Sequence, residues 1–143
     1  MSYARSSELY DLLYAAKDYG AEARQLRDII QRHQPNARTL LDVACGTGRH
    51  LERLREWYAV AGLDAEPGLL EVARRRLPGV PLHEGDMRDF QLGTFDVVTC
   101  LFSAIGYMQT PDDLARAVRV MAGHLQTAGV LIIEPWLSSG VCI

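Results

Sequence analysis

Short, almost wholly apolar runs alternate with longer stretches whose apolar residues recur at helical spacing. This alternation constrains the 143-residue chain more than any other feature. The runs are Arg38 to Ala44, Ala59 to Leu63, Val80 to His83, Phe95 to Phe102 and Val130 to Ile133. A strand with one wet face shows a polar residue at every second position, whereas a strand apolar along its length is buried on both faces. The stretches between them read as helices over Gly48 to Trp57, Pro67 to Leu77 and Asp112 to Leu125. Doubly covered strands separated by helices specify an α/β fold, here a doubly wound, mostly parallel sheet of about five strands.

Two helices are expected ahead of the first strand. SSELYDLLY sets Leu9, Tyr10, Leu12 and Leu13 at helical spacing behind Ser6 or Ser7 as N-cap. Asp18 to Gln34 carries Ala21, Leu26, Ile29 and Ile30 on one stripe and ends at Pro35-Asn36. No repeat, low-complexity tract or linker divides the chain, so a single domain over residues 1–143 is expected.

Composition excludes several classes. Hydrophobic residues at 48% and charged residues at 23% give an ordinary globular balance. A net charge of -3 lacks the basic footprint that nucleic-acid binding requires. No apolar run reaches the roughly 20 residues of a membrane span. The opening MSYARSSELYDLLY lacks the basic-then-apolar layout of a secretory signal. Cys45, Cys100 and Cys142 are far apart and form no CxxC pair. Reduced thiols in a cytoplasm are therefore expected, with neither a disulfide framework nor a zinc site.

Open parallel sheets bind ligands at the carboxyl ends of their strands, so the residues there carry the functional reading. After the first run comes LLDVACGTGRHLERL, from Leu40 to Leu54, in which Gly46 and Gly48 let a ligand approach the backbone at a helix start. A pyrophosphate-binding loop places a third glycine at the helix opening, but Leu51 stands three beyond Gly48. Asp42, just before the loop, repels phosphate and suits a ligand with an ammonium group. Asp64 ends the second run, near the separation at which a carboxylate accepts from the vicinal hydroxyls of a ribose. In HEGDMRDF, Asp86 is placed to accept from an adenine amino group, Met87 to pack on the ring face, and Arg88 to pair with Asp86 or Asp89. The run Arg74-Arg75-Arg76 reads as a solvated helix end.

Taken in order, these elements resemble the class I S-adenosylmethionine-dependent methyltransferases. LLDVACGTGRHL looks like that family's first motif, with Ala44 where many members carry another glycine, and GLDAEPGLLEVARRR looks like its second. YDLLYAAKDY, GDMRDF, VVTCLFSAIGYM and GVLIIEPW are further similar to the N-methyltransferases of nucleotide-linked amino-deoxy sugars. The resemblance implies S-adenosyl-L-methionine as cofactor and the amine of a nucleotide-linked amino sugar as small-molecule acceptor. The expected cofactor contacts are Asp42, Ala44, Cys45, Gly46, Gly48, Asp64, Ala65, Asp86, Met87 and Leu101. Tyr14, Tyr107 and His124 are the expected catalytic residues, with Trp136 as a pocket wall and His50 toward the cofactor carboxylate.

Relatives in that family continue past EPW with two more strands, so this chain is expected to end short and to leave the fifth strand as an apolar edge. A homodimer through that edge is one expectation. The residues alone also leave open a nucleoside-binding module without turnover and a nicotinamide-dependent oxidoreductase.

Overall fold

The structure is a computed structural model that describes residues 18–101, 104 and 108–134. The expected helix around Leu9 to Leu13 lies outside them. Helix α1 spans Tyr19–His33, and the Asp18 side chain caps it by accepting from the Ala21 amide at 2.8 Å. There follow β1 (Thr39–Val43), α2 (Arg49–Leu54), β2 (Ala59–Asp64), α3 (Pro67–Arg76), β3 (Leu82–Glu84), β4 (Phe95–Cys100), α4 (Pro111–Ala122) and β5 (Leu125–Ile133). The Thr110 hydroxyl caps α4 through the Asp113 amide.

The sheet order is β3-β2-β1-β4-β5, and every described pairing is parallel. This is the doubly wound α/β fold that the run pattern specifies. Strand alternation sorts the core into two layers. Leu40, Val60 and Val97 meet Ala23, Leu26 and Ile30 of α1, Leu51 and Leu54 of α2, and Leu70 and Leu77 on one face. Leu41, Ala61 and Val98 meet Ala117 and Met121 of α4 on the other. The chain winds outward through β2 and β3, then crosses to the far side of β1 for β4 and β5. That reversal opens a crevice at the carboxyl ends of β1 and β4.

Several boundaries differ from expectation: β3 covers Leu82–Glu84 where Val80 to His83 is expected, and α2 ends at Leu54, short of Trp57. The helix expected to run to Leu125 stops at Ala122, and β5 already begins at Leu125. Leu125 sits four residues after Met121 and so continues the helical spacing, but its backbone pairs with Phe95 of β4. Between Phe95 and Val97 the partner strand advances from Leu125 to Val130, an excursion that holds Ala128 at φ 63°. The segment Gln126 to Gly129 therefore belongs to the strand as an irregularity.

Candidate functional site

A cavity of about 500 Å³ opens in the crevice, within the size range of small-molecule sites. Asp42, Ala44, Cys45 and Gly46 line it from the end of β1 and the loop beyond. Asp64 and Ala65 line it from the end of β2, Asp86 and Met87 from the turn after β3, and Leu101 from the end of β4. Nine of the ten residues expected to touch the cofactor thus share one wall.

Gly48 is the exception, and its reason lies behind the wall. It adopts φ 83°, and a Cβ placed on it would stand 2.6 Å from Leu77 Cδ1. The absent side chain admits the end of α3 against the loop. Ala44 also has positive φ, at 61°, and so does Gly46, at 59°.

Asp42 is 2% exposed, opposite Thr99 in the β1–β4 register, and accepts the Thr99 hydroxyl proton at 2.8 Å. Burial pushes its carboxyl up to about 7, the Thr99 hydrogen bond pulls against that, and the Asp64 charge adds to it. Asp64 faces the loop from β2. Its Oδ2 accepts from the Gly46 amide at 2.8 Å and its Oδ1 from the Glu66 amide at 2.9 Å. Burial raises Asp64 as well, against these two amides. Two buried carboxylates in one wall make the cavity a site for positive charge and hydroxyl donors. Burial and the two aspartates push the Cys45 thiol well up, which disfavours the thiolate that nucleophilic chemistry requires.

At the turn after β3, Arg88 grips Asp86 from Nε and Nη2, at 2.6 Å for Nη2 to Oδ2, and reaches Asp113 at 3.3 Å with Nη1. Those bonds hold the Asp86 carboxyl down at about 2. Asp86 therefore reaches the cavity already engaged by an arginine, and the expected pairing of Arg88 is with Asp86.

Three further residues line the cavity from α1 and α2, and two of them, Tyr19 and Arg49, carry no expectation from the sequence. Arg49 opens α2 and sets its guanidinium 5.8 Å from the Tyr19 ring centroid. Tyr19 meets His50 edge-on at 4.9 Å, and His50 Nε2 lies 3.5 Å from Glu22 Oε1. Tyr19, Arg49 and His50 all line the cavity. An arginine directly after the second glycine was the available signal for Arg49.

His124 does not join the cavity wall. It is 5% exposed, stacks on Phe90 at 4.2 Å, and bonds backbone through both nitrogens. The Leu92 amide donates to Nε2 at 3.1 Å, which puts the ring proton on Nδ1, 2.7 Å from the Val120 carbonyl. Tyr14, Tyr107 and Trp136 lie outside the described residues. Arg76 departs from the solvated helix end that was expected, because its Nη1 donates to the Thr47 carbonyl at 2.6 Å.

Residues 40–129 match the family described as a methyltransferase domain. A dTDP-4-amino-2,3,4,6-tetradeoxy-D-glucose N,N-dimethyltransferase of Saccharopolyspora spinosa is 51% identical over 134 residues, covering 91% of this chain and 54% of the relative. A dTDP-3-amino-3,4,6-trideoxy-alpha-D-glucopyranose N,N-dimethyltransferase of Streptomyces venezuelae is 47% identical, covering 91% of this chain and 56% of the relative. Among solved structures, Streptomyces venezuelae DesVI aligns with a TM-score of 0.91 at 43% identity, over 96% of this chain and 60% of that one. SAM-bound CalS10, an amino pentose methyltransferase from Micromonospora echinaspora, aligns with a TM-score of 0.89 at 45% identity, over 94% of this chain and 59% of that one. The chain thus spans little more than half the length of these relatives.

Proposed function

The chain belongs to the methyltransferase-domain family, and on that premise we propose that it binds S-adenosyl-L-methionine and transfers methyl groups to the amine of a nucleotide-linked amino-deoxy sugar. The observation that carries the donor half is the pair of buried acids, Asp42 and Asp64, on either side of a glycine loop in one cavity wall. The acceptor half rests on the relatives' own substrates.

The residues present fit such a donor. Its ammonium matches Asp42, its ribose diol Asp64, its adenine the Asp86–Met87 turn, and its carboxylate the Arg49 guanidinium. When bound, S-adenosyl-L-methionine supplies a methyl group already activated on a sulfonium. What remains for the protein is to hold the reacting atoms in line and keep water out, which lowers the barrier without a strong acid or base. Asp42 and Asp64 fix the ammonium and the ribose of the donor, while Leu101 and Met87 give the wall its apolar part. The acceptor amine must arrive unprotonated, and we assign Tyr14 and Tyr107 to that side. His124 is left out of this assignment because Leu92 and Val120 already occupy its nitrogens.

No helix among the described residues is long and apolar enough to cross a membrane. The proposal extends to a cytoplasmic setting, supported by cysteines without a CxxC pair, and to a homodimer along β5, the edge of the described sheet. Sedimentation at high concentration tests the dimer, and a monomer there removes it.

The test of function is incubation of the chain with S-adenosyl-L-methionine and a dTDP-linked amino sugar, read by mass spectrometry. Products heavier by one and then two methyl groups are expected. Donor binding with no heavier product would confine the reading to binding.

A further inference from the structure

The glycine loop is a backbone with three residues in the left-handed region, Ala44, Gly46 and Gly48. Such a segment needs anchors outside itself to keep one conformation. From the sheet side, β2 supplies two: the Cys45 amide donates to the Leu63 carbonyl at 2.9 Å, and the Gly46 amide to Asp64. From the other side the anchors come from the last turn of α3. Arg76 Nη1 donates to the Thr47 carbonyl at 2.6 Å, and Arg76 Nε lies 3.7 Å from Glu52 Oε2 in the first turn of α2. Leu77, 1% exposed, fills the space that a Gly48 side chain would take. The Arg76 side chain is only 17% exposed, so its charge is spent inside the fold.

We propose that Arg76 is a positioning residue for the amino-acid end of the donor, acting through the Thr47 peptide; the inference rests on the donor reading above. Thr47 is 3% exposed and lines the cavity with Arg49 and His50, in the loop after β1, two strands away in the sheet from the turn after β3 that carries Asp86 and Met87. A guanidinium bonded to the Thr47 carbonyl fixes the rotation of the peptide between Thr47 and Gly48. The Gly48 amide is held in turn by the Cys45 carbonyl at 3.0 Å. With Arg76 removed, that peptide keeps only the Cys45 bond on its amide side, and the groups that meet the methionine part of the ligand are held less firmly. The Asp86–Met87 turn, which meets the nucleoside, is held by Arg88 through Asp86. Arg76 therefore acts on one end of the ligand.

Two ligands separate the ends. S-adenosylhomocysteine carries the amino-acid tail, and 5′-methylthioadenosine keeps the nucleoside without it. In calorimetric titration Arg76→Gln is expected to weaken S-adenosylhomocysteine roughly tenfold, the size of one charge-assisted hydrogen bond, and to leave 5′-methylthioadenosine within about twofold. Arg76→Lys restores part of the loss, since an ammonium still donates to a carbonyl. If Arg76→Gln does not fold, Glu52→Gln loosens the arginine from α2 and is expected to show the same selectivity on a smaller scale. Equal weakening of both ligands, or of neither, in the folded variant overturns the positioning role. An unsubstituted chain that binds neither ligand overturns the donor reading itself.

Discussion

The Thr99 hydroxyl donates to Asp42 at 2.8 Å across the β1–β4 pairing, at a point where Thr99 is fully buried. The bond is the one hydrogen bond seen to favour the ionised form of a carboxyl that burial pushes up to about 7. Thr99→Val keeps the shape and removes the donor. Asp42 then takes its proton at still higher pH, and affinity for a cationic donor at about pH 7 should fall about threefold to tenfold. Titration calorimetry from about pH 6 to pH 9 checks this, and the pH at which affinity levels off should move upward.

Asp42 also sets a pH dependence of stability. Its ordinary carboxyl value is 3.8 and its folded value about 7, so between these the folded chain keeps a proton that the unfolded chain has released. The contribution of Asp42 to stability is therefore best below about pH 4 and declines as pH rises toward 7. Asp42→Asn removes that decline. Urea unfolding at about pH 8 should show the variant more stable by on the order of 2 kcal/mol, with little difference at about pH 4. The same variant should lose donor binding.

Ala44 holds φ at 61° without being a glycine. An L side chain in that region costs about 1 kcal/mol or more, and part of the cost returns as the greater unfolded-state freedom of glycine. Ala44→Gly should stabilise the chain by about 0.5–1 kcal/mol. A melting curve shifted downward would contradict the assigned backbone.

His124 bonds the backbone at Leu92 and Val120 and stacks on Phe90. His124→Ala strands the half-buried Leu92 amide and opens a gap beside Phe90, at a cost of about 2 kcal/mol in unfolding free energy. Donor affinity, measured below the melting transition, should stay the same. A selective loss of affinity at unchanged stability would return His124 to the site.

Local pattern was enough to read the strands, because a doubly covered strand has to be apolar along its length. It was also enough to gather Asp42, Asp64 and Met87, because strand ends in an open parallel sheet converge by topology. What stayed hidden depended on chain segments returning from a distance. Arg76 reads as a solvated charge because nothing near it in sequence announces that α3 ends against the loop at Thr47 and Gly48. The α4 boundary was lost because Leu125 fits both the helical stripe begun by Met121 and the pairing with Phe95. The Arg88 pairing is legible because Asp86 and Asp89 stand within two residues of it; the side-chain geometry selects Asp86.

In the proposed site the two acids flanking the glycine loop receive one adenosyl donor, and Asp64 is the more direct of the two to test. Titration of S-adenosyl-L-methionine into the chain and into Asp64→Ala should show binding to the first. The second should bind more weakly by about 1–3 kcal/mol, because the carboxylate that holds the Gly46 amide, and that we propose accepts from the ribose diol, is gone. Equal affinity in the two proteins, or a chain that takes up a nicotinamide dinucleotide and ignores the sulfonium, would contradict it.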